Sequence, residues 1–118
     1  MDAKDCRQHE WVEEYPAAIT VCAEDGTILE MNAKSARTFE KDGGPGLVGK
    51  DVRACHPPAA RAKLDALLAG GGTNAYTIEK GGVRKLIYQA PWYRGGKVAG
   101  LVELSLEIPE RMPHFKRD

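Results

Sequence analysis

From Ala18 to Phe39 the chain reads AITVCAEDGTILEMNAKSARTF, two short strands around a tight turn that lead straight into a helix. Ile19 and Val21 alternate with Thr20 and Cys22, as they do where the two faces of a sheet differ. Glu24-Asp25-Gly26-Thr27 supplies the turn, and Ile28, Leu29 and Met31 resume the extended chain. Asn32 then stands where a helix cap belongs. Its side-chain oxygen can accept from an early helical amide, with Ala33, Ala36 and Phe39 at helical spacing behind it.

A chain of 118 residues makes one domain with one modest core. Its 17 Lys and Arg equal its 17 Asp and Glu, a balance that argues against nucleic acid or an anionic membrane as partner. No apolar run approaches the ~20 residues of a membrane span, and no basic-then-apolar leader opens the sequence, so a cytoplasmic location is expected. Cys6, Cys22 and Cys55 are odd in number and scattered, which suits a reducing compartment better than a disulfide framework.

Residues 5 to 15 read as a short helix, with Trp11, Val12 and Tyr15 apolar and Glu10, Glu13 and Glu14 wet, and Pro16 ends it. After the capped helix, Lys41 to Gly46 is a loop, and Leu47-Val48-Gly49-Lys50-Asp51-Val52 follows. Cys55-His56-Pro57-Pro58 leads into a second helix over Ala59 to Ala69, with Ala60, Leu64, Leu67 and Leu68 on one side; Gly70-Gly71-Gly72 stops it. Three strands complete the chain: Asn74 to Lys80, Val83 to Tyr93 and Val98 to Glu107, joined at Gly81-Gly82 and Arg94-Gly95-Gly96-Lys97. In the last, Val102, Leu104 and Leu106 point one way and Glu103, Ser105 and Glu107 the other, the pattern of a half-buried antiparallel sheet.

Two strands, an Asn-capped helix, a Gly49-Lys50 pair before a long helix, and three strands resemble a PAS domain, the sensory module of bacterial and eukaryotic signalling proteins. The resemblance runs from about Pro16 to Ile108. It implies an α+β PAS fold: a five-stranded antiparallel sheet in strand order 2-1-5-4-3 with helices on one face and a short N-terminal helix. Residues 1-15 would form the N-terminal helical cap, 16-108 the PAS domain and 109-118 a C-terminal tail. It further implies a non-enzymatic regulatory module that works as a homodimer, passes its signal to a separate partner protein and takes a small-molecule ligand in an inner cavity. Trp11, Val12 and Tyr15 are the expected dimer residues, although the helix that carries them could equally pack on the nearest sheet surface of its own subunit. Met31, Phe39, Leu64, Tyr76, Leu86, Tyr88, Trp92 and Leu104 are the expected pocket residues, with Leu86, Tyr88, Ala90 and Trp92 on one strand face by alternation. These side chains either line a cavity or fill the core.

The residues name no cofactor. Flavin sensors of this fold carry a reactive cysteine where Val52 stands, so flavin is not expected. The yellow-protein branch uses a cysteine near the place of Cys55 but needs a Tyr and a Glu where Met31 and Ser35 stand. Haem-binding members use a histidine inside the long helix, near Ala59; His56, one turn earlier, with Cys55 is the alternative haem or metal site. Against it, Cys55 reads equally as a small buried hydrophobe and His56 as a donor to a loop carbonyl. Cys6 and His9 make half of a zinc site, and no catalytic constellation is visible. Pro109 and Pro113 interrupt any continuous output helix, and His114-Phe115 either folds back on the sheet or stays loose. Met1 and the charged Lys116-Arg117-Asp118 end are those expected of a complete small protein.

Overall fold

The computed structural model describes residues 9–70 and 72–118, with the backbone alone at Cys55. Five strands form one antiparallel sheet: β1 (Ala18–Ala23), β2 (Ile28–Met31), β3 (Asn74–Lys80), β4 (Val83–Arg94) and β5 (Lys97–Ile108), in the order β2-β1-β5-β4-β3. Residues 9–13 are helical (α1), followed by α2 (Ala33–Thr38) and α3 (Pro58–Leu68). The α+β architecture and strand order are those the sequence led us to expect. Between α2 and α3 the chain does not run as an open loop. It winds through 3-10 turns at Glu40–Asp42, Gly44–Leu47 and Val52–Cys55. Helix α3 starts on Pro58, one residue earlier than expected, because an amide is not needed in a first helical turn.

The pairing of β1 with β5 joins the two ends of the chain and fixes which way each strand faces. Cys22 packs in the core with Ile28, Leu47, Val52, Leu64, Leu67, Leu68 and Leu101, so the face it shares is the inner one. Register carries that face across the sheet: Cys22 opposes Leu101, Thr20 opposes Glu103, Glu103 opposes Gln89, and Gln89 opposes Asn74. Ile19, Val102, Leu104, Leu106, Leu86, Tyr88 and Ala90 therefore fall on the outer face. Burial pushes the Cys22 thiol above its ordinary value, which keeps it protonated and inert in the core.

Asn32 locks the first third of the chain together. It is 1 % exposed, and its Oδ1 accepts from the Ser35 amide, capping α2, and from the Ile19 amide of β1, both at 3.0 Å. Its Nδ2 donates to the carbonyls of Val12 (3.0 Å) and Ala17 (2.8 Å). Four hydrogen bonds use the whole capacity of the amide and tie α1, β1 and α2 to one point.

A second junction lies at the β1-β2 turn. Arg53 Nη1 donates to both oxygens of Asp51 at 2.9 Å and to the Asp25 carbonyl at 3.3 Å, and its Nε donates to Asp65 of α3 at 2.6 Å. Gly26, at φ +93°, leaves room for the guanidinium, which would lie 2.5 Å from an added Cβ. Hydrogen bonds from Thr27 hold the Asp25 carboxyl below its ordinary value, and the Arg53 amide does the same for Asp51. Depressed carboxyl groups stabilise the fold above their unfolded value of 3.8, and that contribution is lost as pH falls through the folded one. Asp51→Asn should therefore be less stable than the parent to urea at about pH 6 and converge with it near about pH 2. A constant gap between the two across that range would remove Asp51 from this role.

Candidate functional site

Side chains of the inner face meet the helical middle around a cleft of about 270 Å³, open to solvent. Phe39 and Thr38 close it from the end of α2, His56 from the approach to α3, and Tyr76, Ile78, Ile87, Glu103 and Ser105 from the sheet. Asp42, Lys80 and Lys85 supply further charge to the lining. Such a volume sits just under the ~300–1,000 Å³ of drug-sized sites.

A chain of polar groups crosses the wall of this cleft. Asn74 Nδ2 donates to Gln89 Oε1 at 2.9 Å, and Gln89 Nε2 donates to Glu103 Oε1 at 2.7 Å. The same Oε1 lies 3.9 Å from His56 Nε2, while His56 Nδ1 meets the Val52 carbonyl at 2.9 Å. A carbonyl only accepts, so Nδ1 is the protonated nitrogen in that bond. The Glu103 side chain is 16 % exposed and that of His56 13 %. The Phe39 and His56 rings stand 6.4 Å apart, and Tyr76 shares the cleft with Glu103. Burial first, and the Glu103 carboxylate second, push the Tyr76 phenol up, so it keeps its proton as a donor. A smaller recess beside the cleft is lined by Thr20, Cys22, Val52, His56, Leu64, Leu101 and Glu103.

The expected pocket residues divide between two sides of the sheet. Phe39 and Tyr76 line the cleft and Leu64 the recess, whereas Met31 packs on the core. Leu86, Tyr88, Trp92 and Leu104 require correction. Leu86, Tyr88 and Leu104 stand on the outer face, since Tyr88 opposes Leu104 and Leu86 opposes Leu106 while Glu103 and Gln89 face inward. Trp92, opposite Gly100, turns its indole N–H onto the Cys22 carbonyl at 3.0 Å instead of into the cleft. Of the expected dimer residues, Trp11 and Tyr15 are exposed and meet edge to face, with centroids 5.6 Å apart. Val12 is the exception: it is 8 % exposed and its carbonyl holds Asn32, so it belongs to the subunit's own interior.

Among the site residues that sequence reasoning missed are Asn74, Gln89 and Glu103. Matched polar side chains on three strands are their signal, and it appears only once the register is known. The side chain of Cys55 and all of Cys6 lie outside the described residues; His9 Nε2 meets Glu30 Oε2 at 3.1 Å. Among the described residues no group of three or more His, Cys, Asp or Glu could hold a metal ion. No helix among them is long and apolar enough to cross a membrane.

No family model and no curated protein matches the sequence. Solved structures do resemble the fold. The PAS domain of BvgS from Bordetella pertussis is 16% identical with a TM-score of 0.65, over 93% of this chain and 90% of that one. A PAS domain from Colwellia psychrerythraea is 17% identical with a TM-score of 0.64, over 93% and 100%. The Aer2 receptor of Vibrio cholerae, a dual PAS-heme oxygen sensor, is 15% identical with a TM-score of 0.60, over 79% and 95%.

Proposed function

Because this chain has the fold of a PAS domain, we propose that it is a sensory module: a small molecule enters the inner cleft, and the outer sheet face docks on a second copy of the chain. One observation supports the reading above others, namely the inversion of the sheet. Its inner face carries a polar ladder around an opening, beside the buried Cys22, Leu101 and Ile87, while its outer face carries the half-buried Ile19, Leu86, Val102, Leu104 and Leu106 and the exposed Tyr88. A face of that composition gains by leaving water, and a ladder of that composition gains by meeting a polar ligand.

Light scattering on wild type and Leu104→Lys, with native mass spectrometry of both, tests the proposal. The wild type is expected as a dimer that carries or accepts a small molecule, and Leu104→Lys as a monomer with an unchanged circular dichroism spectrum. A wild type that stays monomeric at hundreds of micromolar and holds no small molecule would overturn the reading.

A second reading, haem or metal at His56 with Cys55, rests on the pinned ring. A histidine whose Nδ1 donates to a backbone carbonyl and whose ring lines a cavity is disposed as metal-ligating histidines are. The Glu103 carboxylate, 3.9 Å from that nitrogen, would have to turn aside. An absorption spectrum during haem titration decides it: a Soret band lost in His56→Ala supports haem, and none in the wild type removes it.

A further inference from the structure

We infer that the inner cleft selects a small molecule with a protonated amino group on an apolar body, and that Glu103 is the residue that binds the ammonium. The inference rests on the ligand-binding reading above and names the chemistry of that ligand.

Three observations converge on Glu103. First, its side chain is sheltered on the cleft wall, 16 % exposed, yet its hydrogen bond from Gln89 and its approach to His56 both fall on Oε1. Among the described residues Oε2 accepts nothing, so a sheltered carboxylate faces the opening with acceptor capacity to spare. A sheltered carboxylate with a spare acceptor oxygen gains from a cation that donates hydrogen bonds. Second, the rings around it suit such a cation: Phe39, Tyr76 and His56 line the same cleft, and aromatic faces attract an ammonium through their quadrupole. Third, Ile78 and Ile87 give the wall an apolar stretch that fits a hydrocarbon or aromatic body, beside the charged Asp42, Lys80 and Lys85.

The groups that face Glu103 come from every element around it: Thr20 from β1, Gln89 from β4, Tyr76 from β3, and His56 from the approach to α3. Gln89 donates, the protonated Tyr76 can donate, and none of these carries a fixed positive charge that would already neutralise the carboxylate. The fixed cations in the lining are Lys80 and Lys85, neither of which has an ion-pair partner among the described residues. Free amines and amino acids share the ammonium, and these lysines are where a ligand carboxylate would tell them apart. An amino acid gains from Lys80 and Lys85, whereas a simple amine does not.

Two-dimensional amide NMR of the full chain, titrated separately with phenethylamine, L-phenylalanine, 3-phenylpropionate and 2-phenylethanol, tests the inference. The two ammonium probes are expected to shift cleft amides near Tyr76, Glu103 and Ser105 to saturation. The carboxylate-only and neutral probes should bind at least about ten-fold more weakly. Glu103→Gln keeps an oxygen for Gln89 and should preserve the dispersion of the spectrum while weakening phenethylamine at least about ten-fold. A tighter L-phenylalanine than phenethylamine, levelled by Lys85→Ala, would assign the amino-acid source; the reverse order assigns the free amine. The inference is overturned if 3-phenylpropionate or 2-phenylethanol binds as tightly as phenethylamine, or if Glu103→Gln titrates as wild type, and in both cases the cleft remains a ligand site of other chemistry. If none of the four probes moves a cleft amide at millimolar concentration, the inference is overturned, and the ligand-binding reading is decided separately by the native mass spectrometry.

Discussion

Asn32→Asp is expected to cost about 3 to 5 kcal/mol of the ~5–15 kcal/mol that holds a domain folded, although aspartate caps helices as well as asparagine does. The prediction separates two roles that one side chain performs. As a cap, Asn32 needs only Oδ1, which accepts from Ser35 and Ile19, and aspartate retains both bonds. As a junction it needs the two N–H donors that reach Val12 and Ala17. Aspartate would leave both carbonyls without a donor, at about 1–3 kcal/mol each, and would set a buried charge against them. Asn32→Ala removes the cap as well and should cost a similar total. Urea denaturation of both variants is the measurement. An Asp variant within about 1 kcal/mol of wild type would mean that the bonds to Val12 and Ala17 contribute little.

Gly100→Ala is expected to be as damaging for a purely steric reason. At Gly100 the strands β1, β5 and β4 come together, with Ala23 on one side and Trp92 on the other, and the pairing of β4 shifts register just beyond. An added Cβ would fall on the Cys22 carbonyl oxygen and 2.5 Å from Trp92 Nε1. The backbone cannot yield without opening the β1-β5 pairing, and the indole cannot yield without leaving the Cys22 carbonyl. A loss of about 3 kcal/mol or more follows, at the upper end of what overpacking costs. Trp92→Phe supplies the comparison. It removes the hydrogen bond but leaves the strands in place, for about 1 kcal/mol. If the alanine variant unfolds no more easily than the phenylalanine one, the close approach at Gly100 does not matter to the fold.

The hairpin, the capped helix and the strand boundaries were legible because their signals are local. Asn32 announces a cap, Asp25-Gly26 a turn, and Gly81-Gly82 and Gly95-Gly96 the later reversals, so β3 begins and ends at the expected residues. The site was legible only in part, and the reason is specific. Alternation established that Leu86, Tyr88 and Ala90 share a face, and that Leu104 and Glu103 do not. Which face the helices cover is a different question, decided by the pairing of Cys22 with Leu101, a contact between residues far apart in the chain. The ordinary assumption that aliphatic residues point to the covered side put Leu104 inside and Glu103 outside, and here it is inverted. Phe39 and Tyr76 escaped that error because one caps the end of a helix and the other lies on an edge strand that lines the cleft.

That inversion places Glu103 between Val102 and Leu104 in the third of five strands, flanked by β1 and β4. The partition between the cleft and the outer apolar surface is thus a single thickness of backbone, with no intervening layer to absorb a displacement. Glu103 shares its flanking peptide groups with Val102 and Leu104, so any backbone shift at Glu103 on binding is passed to both. Occupant and surface would then be connected by the stiffness of one strand, and no hinge would be needed to join them.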